Sequence, residues 1–309
     1  MPSLPTAAVL GIFLLSFAGL LAGAELLVRG AVRVAQVFGF SRTVVGMTVV
    51  AFGTSTPELM VTLLAAFRGK APLAVGNIVG SNIANIGLIL GFAALLRPLQ
   101  VEEEVWRRDL PWMLGVSLLF WLLILDGHVS RFEGILLGIL LLGAFLWSMT
   151  RSRQPQDLPP VPRAGALLFT VAGLALLLLS AHSLVASAVE LARRWGVSEG
   201  VIGLSLLAVG TSLPEVATSA VASFRRETEI SVGNIVGSNI FNLLTVLGLT
   251  AIVQPLPVPA GWAGREVPIM LAFSLALPLL AFRDQRVGRL RGALLLAAYF
   301  AFLFTIYRA

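Results

Sequence analysis

The chain has no cysteine, two histidines, two tyrosines and little charge: Asp, Glu, Lys and Arg together make up 12% of its 309 residues. Each shortage closes off a class of chemistry. Without cysteine there is no disulfide framework, no thiol nucleophile and no thiolate metal site. The histidines, His128 and His182, are far apart and neither lies in a repeated motif, which leaves little for a nucleophile–base pair or an imidazole metal centre. An ordinary soluble domain carries about 25% charged residues, so this chain is short of the polar surface that a water-exposed fold requires. The net charge of +6 and pI near 11.1 would suit nucleic acid in a soluble protein. In so apolar a chain the arginines fit cytoplasmic loops instead, and no nucleic-acid partner is expected.

Apolar sequence is what the chain has in abundance. It is 57% hydrophobic with a mean hydropathy of +0.92. Many runs reach the 18 or so residues needed to cross a hydrocarbon core of about 30 Å. They are continuous rather than alternating, so helices are expected, not a barrel. Charged and Pro/Gly breaks divide them into ten predicted spans: 6–28, 43–66, 72–96, 110–126, 129–149, 165–188, 200–224, 229–253, 266–282 and 289–307. No basic residue precedes the first run, which reads as a retained span and not a cleaved leader. With the N-terminus outside, 15 of the 22 Lys and Arg residues fall in inward loops, and this bias predicts both termini outside. Prolines and polar residues around SRQPQDLPPVPR mark a cytoplasmic linker at 151–164, between a first half at 1–150 and a second at 165–309.

The halves are copies. GNIVGSNI occurs at Gly76–Ile83 and again at Gly233–Ile240, 157 residues later. At the same offset GTSTPE (Gly53–Glu58) meets GTSLPE (Gly210–Glu215), and Ala51 meets Ala208. The register holds from about Leu27 to Gly91, so this is an internal duplication. Five spans per half is an odd number, so the second copy enters the membrane from the opposite side. The expected fold is an all-α integral membrane protein: two inverted five-helix repeats, with broken helices at a midplane site. Loop charge agrees, because Arg29, Arg33 and Arg42 become Ala186, Glu190 and Glu199.

The repeated residues are oxygen ligands. Pro57 and Pro214 lack an N–H and interrupt their helices, freeing carbonyls near Gly53 and Gly210. Thr54, Ser55, Thr211 and Ser212 add hydroxyls, and Glu58 and Glu215 add carboxylates. Such a set suits hard cations. A carboxylate at a helix centre costs roughly 2.5–3.5 kcal/mol on insertion scales, so two at one depth call for a purpose. Ser81 and Asn85 lie four apart on one helical face, as do Ser238 and Asn242. Asn77 and Asn82 fall off that stripe. Gly76, Gly80 and Gly87 suit close helix packing. His182 and its counterpart Glu25 read as gate-rim or packing residues, Asp126 and His128 as a solvated loop, and Glu102–Glu104 as a solvated helix start.

At these motifs the sequence resembles the cation/calcium exchanger superfamily, in particular its prokaryotic sodium/calcium exchangers. GTSTPE with GNIVGSNIANIGLILG resembles the first of that family's repeats, and GTSLPE with GNIVGSNIFN the second. The resemblance implies exchange of Ca²⁺ for Na⁺ by alternating access across a prokaryotic cell membrane, and a protein functional as a monomer is expected. No cofactor is implied, since both ions are cargo. Position by position, it implies cation ligands at Ala51, Thr54, Ser55, Glu58, Ser81 and Asn85, and at Ala208, Thr211, Ser212, Glu215, Ser238 and Asn242. The alanines would act through their carbonyls. Glu58, Glu215, Thr54 and Thr211 match the calcium ligands, and the outer positions match sodium sites. Some relatives have Asp where this chain has Asn242. A Ca²⁺/H⁺ exchanger on the same scaffold is the alternative, because a proton-coupled site needs only the two glutamates.

Overall fold

The computed structural model describes residues 4–151, 162–197 and 210–308. Most of the predicted linker and residues 200–209 of the predicted seventh span, Ala208 among them, lie outside the described residues. The described chain is helical apart from four two-residue strands. Its helices are α1 (Thr6–Phe38), α2 (Arg42–Thr54), α3 (Thr56–Phe67), α4 (Ala71–Leu96), α5 (Val105–Asp126) and α6 (Arg131–Arg151) in the first half. The second half holds α7 (Arg163–Arg194), α8 (Leu213–Phe224), α9 (Thr228–Val253), α10 (Glu266–Ala281) and α11 (Arg289–Arg308).

Two helices run well past the lengths the hydropathy predicts. α1 has 33 residues and α7 has 32, so each is about 50 Å long at 1.5 Å per residue. Neither carries a proline near its end to stop it. α1 ends only where Gly39 takes φ 69°, and the next positive-φ glycine after α7 is Gly196, at φ 77°. Hydropathy marks where the lipid-compatible stretch ends, but a helix continues until something breaks it.

The two repeated motifs open helices at matching places. α2 and α3 meet at a bend of 43° at Ser55 and are together long and apolar enough to cross a membrane. Ser55 (φ −81°, ψ 5°) and Ser212 (φ −87°, ψ 3°) share one conformation, and each precedes a helix with proline in its first turn. There the missing N–H costs nothing. Hydroxyls cover carbonyls near the first break, with Thr56 Oγ1 donating to Phe52 O at 3.0 Å. α4 and α9 each widen into a π turn, at Asn85–Leu90 and Asn242–Val246. Such turns recur at functional sites, and here both begin on the paired asparagines.

Small strands join the halves at two places. β1 (Leu99–Gln100) pairs antiparallel with β4 (Arg286–Val287), and β2 (His128–Val129) with β3 (Leu256–Pro257). Leu99 and Leu256 stand 157 apart, so each half gives equivalent backbone to one ladder. Buried apolar side chains form two clusters. The larger gathers α3–α6 and α9–α11, and the smaller joins α1 and α7 to α2 and α8.

Glycine sets how closely these bodies approach. A Cβ on Gly173 would lie 2.4 Å from the Leu27 nitrogen, and one on Gly23 2.5 Å from the Leu177 nitrogen. Between α2 and α9, a Cβ on Gly233 would lie 2.5 Å from Thr43 O, and one on Gly237 2.5 Å from Met47 O. Gly87 packs likewise against Phe273 and Tyr299. Backbones that meet this closely replace the hydrophobic driving force that lipid does not supply. Gly173→Val should therefore destabilise the protein by about 1–3 kcal/mol, the usual range for overpacking. Leu15→Ala, at a residue 75% exposed, should have little effect. Thermal unfolding of the purified protein in detergent would compare the two.

Candidate cation site

The helix breaks bring the two repeated motifs face to face. Glu58 lies in the first turn of α3 and Glu215 in the first turn of α8, each 2% exposed. At such positions the positive ends of the helix dipoles favour a carboxylate. Each glutamate is held from the other half. Ser55 Oγ donates to Glu215 Oε1 at 3.1 Å, and Ser212 Oγ donates to Glu58 Oε1 at 3.1 Å. The bonds are reciprocal, so neither half completes the arrangement alone.

What remains unbonded is as informative. Glu58 Oε2, Glu215 Oε2, Asn242 Oδ1, Ser238 Oγ and Thr211 Oγ1 are buried without a hydrogen-bond partner, and so is Asn85 Nδ2. Buried polar groups usually find partners, and each orphan calls for an explanation. Thirteen buried side-chain atoms among the described residues lack a partner, and five of them are oxygens on sequence-predicted ligand residues. Thr54, Ser81 and Ser238 are buried with them. Ala51 is buried at the end of α2, where its carbonyl accepts from Ser55 N at 2.9 Å and Thr54 Oγ1 at 3.4 Å. Ala208 is outside the described residues. Among the described residues no group of three or more His, Cys, Asp or Glu gathers, so Glu58 and Glu215 have no third acidic or imidazole group beside them. Two carboxylates with hydroxyl and amide oxygens fit a hard cation and offer a soft one nothing.

The stripe argument set Asn77 aside, and Asn234 is its counterpart in the second repeat. Asn77 Nδ2 donates to the Glu58 carbonyl at 3.1 Å and to Thr62 Oγ1 at 2.9 Å. Asn234 Nδ2 donates to Ser219 Oγ at 2.9 Å, and its Oδ1 accepts from Thr54 Oγ1 at 3.2 Å. A single stripe suits a helix with one buried face. α4 and α9 are buried over 78% and 83% of their most apolar windows, so side chains off the stripe are inside as well. The signal that could have found them is their place in the identical eight-residue repeat. Asn82 and Asn239 instead donate to their own helices, to Ile78 O and Ile235 O at 2.8 Å each.

The other candidates lie apart from this centre. Glu25 accepts from Arg29 Nε at 2.5 Å and Arg225 Nε at 2.7 Å, which ties α1 to the turn after α8. Asp126 and His128 pair at 3.1 Å in a half-exposed connection. Glu102 accepts from Thr43 Oγ1 at 2.5 Å, so this residue is docked on α2 and not simply solvated. The neighbouring Glu103 is bound by Gln285 and Arg107, and these bonds hold its carboxyl below the usual range.

A family profile described as sodium/calcium exchanger protein matches residues 8–150 and 165–308. The chain belongs to the sodium/calcium exchanger family. It is thus a multi-pass membrane antiporter, in a family of transporters and not of enzymes. It is 39% identical over 302 residues to inner membrane protein YrbG of Escherichia coli, covering 92% of both chains. It is 29% identical to sodium/calcium exchanger MaX1 of Methanosarcina acetivorans, covering 96% of this chain and 97% of that one. A solved structure of the sodium-calcium exchanger NCX_Mj superposes with a TM-score of 0.89 at 30% identity, covering 98% of this chain and 100% of that one.

The orphaned carboxylate oxygens generate a prediction that needs no transport assay. A cation bound only by the folded exchanger should raise its thermal stability, by about 2.7 kcal/mol at a hundred times its dissociation constant. Glu58→Gln should abolish the increment produced by Ca²⁺. Glu215→Gln should do the same. Both variants should fold, because the amide Oε1 still accepts the serine bond. The check is the unfolding temperature with and without Ca²⁺.

Proposed function

We propose that the protein exchanges Ca²⁺ for Na⁺ across a prokaryotic cell membrane by alternating access. The observation that carries this reading is the reciprocal Ser55–Glu215 and Ser212–Glu58 pair. Two half-sites, related by the 157-residue repeat, build one centre with two buried carboxylates. Full ionisation gives a charge of −2, which one Ca²⁺ neutralises. Ca²⁺ is assigned to Glu58, Glu215 and the carbonyls of Thr54 and Thr211. Na⁺ is assigned to these residues together with Ser55, Ser81, Asn85, Ser212, Ser238, Asn242 and the carbonyls of Ala51 and Ala208. The likeness to MaX1 and NCX_Mj, both named as sodium/calcium exchangers, supports this choice of ions.

In this reading ten spans form two inverted five-helix repeats, with both termini outside and the site near the midplane. The loops joining α1 to α2, α4 to α5, α8 to α9 and α10 to α11 then face the cytoplasm, where the arginine bias places them. The protein works as a monomer, because both walls of the site come from one chain. Ca²⁺/H⁺ exchange is the second reading. The paired glutamates favour it, since carboxylates alone carry either Ca²⁺ or protons.

Uptake of ⁴⁵Ca²⁺ into proteoliposomes decides between the readings. An outward Na⁺ gradient should drive uptake, and a pH or K⁺ gradient without Na⁺ should not. Uptake driven by pH alone would establish the proton-coupled reading instead. The hydroxyls give a finer check. Replacing Ser55, Ser81, Ser212 or Ser238 with Ala should raise the half-saturating Na⁺ concentration more than that of Ca²⁺, which keeps both carboxylates. Equal losses for both ions would contradict separate sodium positions.

A further inference from the structure

Asn77 and Asn234 hold the same place in the two copies of GNIVGSNI, yet they bond differently. Each side-chain amide donates to an equivalent hydroxyl at 2.9 Å, Asn77 to Thr62 and Asn234 to Ser219. There the likeness ends. Asn234 Oδ1 also accepts from Thr54 Oγ1 of the opposite repeat at 3.2 Å. The equivalent bond would run from Thr211 Oγ1 to Asn77 Oδ1, and it is not made. No bond joins the buried Thr211 Oγ1 to Asn77, while Asn77 Nδ2 donates to the Glu58 carbonyl of its own repeat at 3.1 Å. Residues that the sequence makes equivalent are thus in two bonding modes at once.

We propose that Asn77 and Asn234 are positioning residues that exchange these modes during transport, each sealing one half of the molecule when it bonds the threonine across the repeat. This rests on the alternating-access reading and its orientation. Thr54 ends α2 and Asn234 lies early in α9, so their bond closes the cytoplasmic half. Two ion pairs close the same side, Glu25 with Arg225 at 2.7 Å and Arg42 with Glu227 at 2.6 Å. Asn77 lies early in α4 and Thr211 just before α8, so the unmade bond belongs to the outer half. Among the described residues, then, the inward half has its cross-repeat threonine bond and the outer half does not. In the opposite state Thr211 bonds Asn77, Thr54 lets go, and Asn234 Nδ2 turns to the Glu215 carbonyl. Asparagine suits this exchange because one short side chain offers both an acceptor and donors. Each mode moves a group next to the cations, either a threonine whose carbonyl is an assigned ligand or the backbone of an assigned glutamate.

The test compares Asn234→Ala with Asn77→Ala, and uses Asn→Ser at both positions in case the alanine variants do not fold. In oriented proteoliposomes, Asn234→Ala should weaken the inward-sealed state. That raises half-saturating Na⁺ on the outer face and lowers it on the inner face, by about threefold to tenfold for one hydrogen bond. Asn77→Ala should produce the reverse. Amide hydrogen exchange gives a readout free of transport: in detergent, Asn234→Ala should speed exchange in residues 42–54, and Asn77→Ala should not. Equal shifts on both faces, or no shift in folded variants, would overturn the proposal. So would equal hydrogen exchange in the two variants. A wild type without Na⁺-driven Ca²⁺ uptake would instead count against the antiport reading, while the exchange data still judged the asymmetry of the bonds.

Discussion

Two carboxylates buried among membrane-length helices are the constraint to which the rest of this structure answers. An ionised side chain at that depth costs several kilocalories per mole unless it is compensated. Glu58 and Glu215 are compensated in the same three ways. Each sits in the first turn of a helix, where the backbone dipole is favourable. Each accepts a hydroxyl from the opposite half. Each also keeps one oxygen without a protein partner, which a cation can take. In the proposed reading the third device makes a burial cost into a binding site, and the second gives a reason for the sequence to be written twice.

Other features follow from that arrangement. The proline of each motif starts a helix at the place where the carboxylate needs one, and the bend at Ser55 turns its hydroxyl across to the other repeat. The π turns beginning at Asn85 and Asn242 shift the phase of α4 and α9 beside the site. Gly233 and Gly237 let α9 approach the backbone of α2, which brings Asn234 within reach of Thr54. A bulkier residue at either glycine would separate the helices that carry the two halves of the site. α1 and α7 lie mostly in a second apolar cluster, outside the body that holds α4 and α9.

Much of this was legible in the sequence, and the exceptions have physical causes. The fixed 157-residue offset paired Glu58 with Glu215 and Ser55 with Ser212 before any geometry was available. Proline after GTST located the bend at Ser55, and proline after GTSL located the start of α8. The lengths of α1 and α7 were not legible, because hydropathy measures compatibility with lipid, whereas a helix ends at a breaker such as Gly39. The bonds of Asn77 and Asn234 were not legible, because a one-face criterion carries little information for helices buried nearly all round. Glu102 read as solvated because its partner, Thr43, lies 59 residues away, and local pattern carries no information about that separation. The π turns left no mark that periodicity could detect.

The central claim is that Glu58 and Glu215 form one cation site, shared between the repeats. Equilibrium binding of ⁴⁵Ca²⁺ to the purified exchanger tests it most directly. The account predicts one Ca²⁺ per chain, displaced by Na⁺, and lost in Glu58→Gln and in Glu215→Gln alike. Two independent sites, or full binding retained when either carboxylate is neutralised, would contradict it.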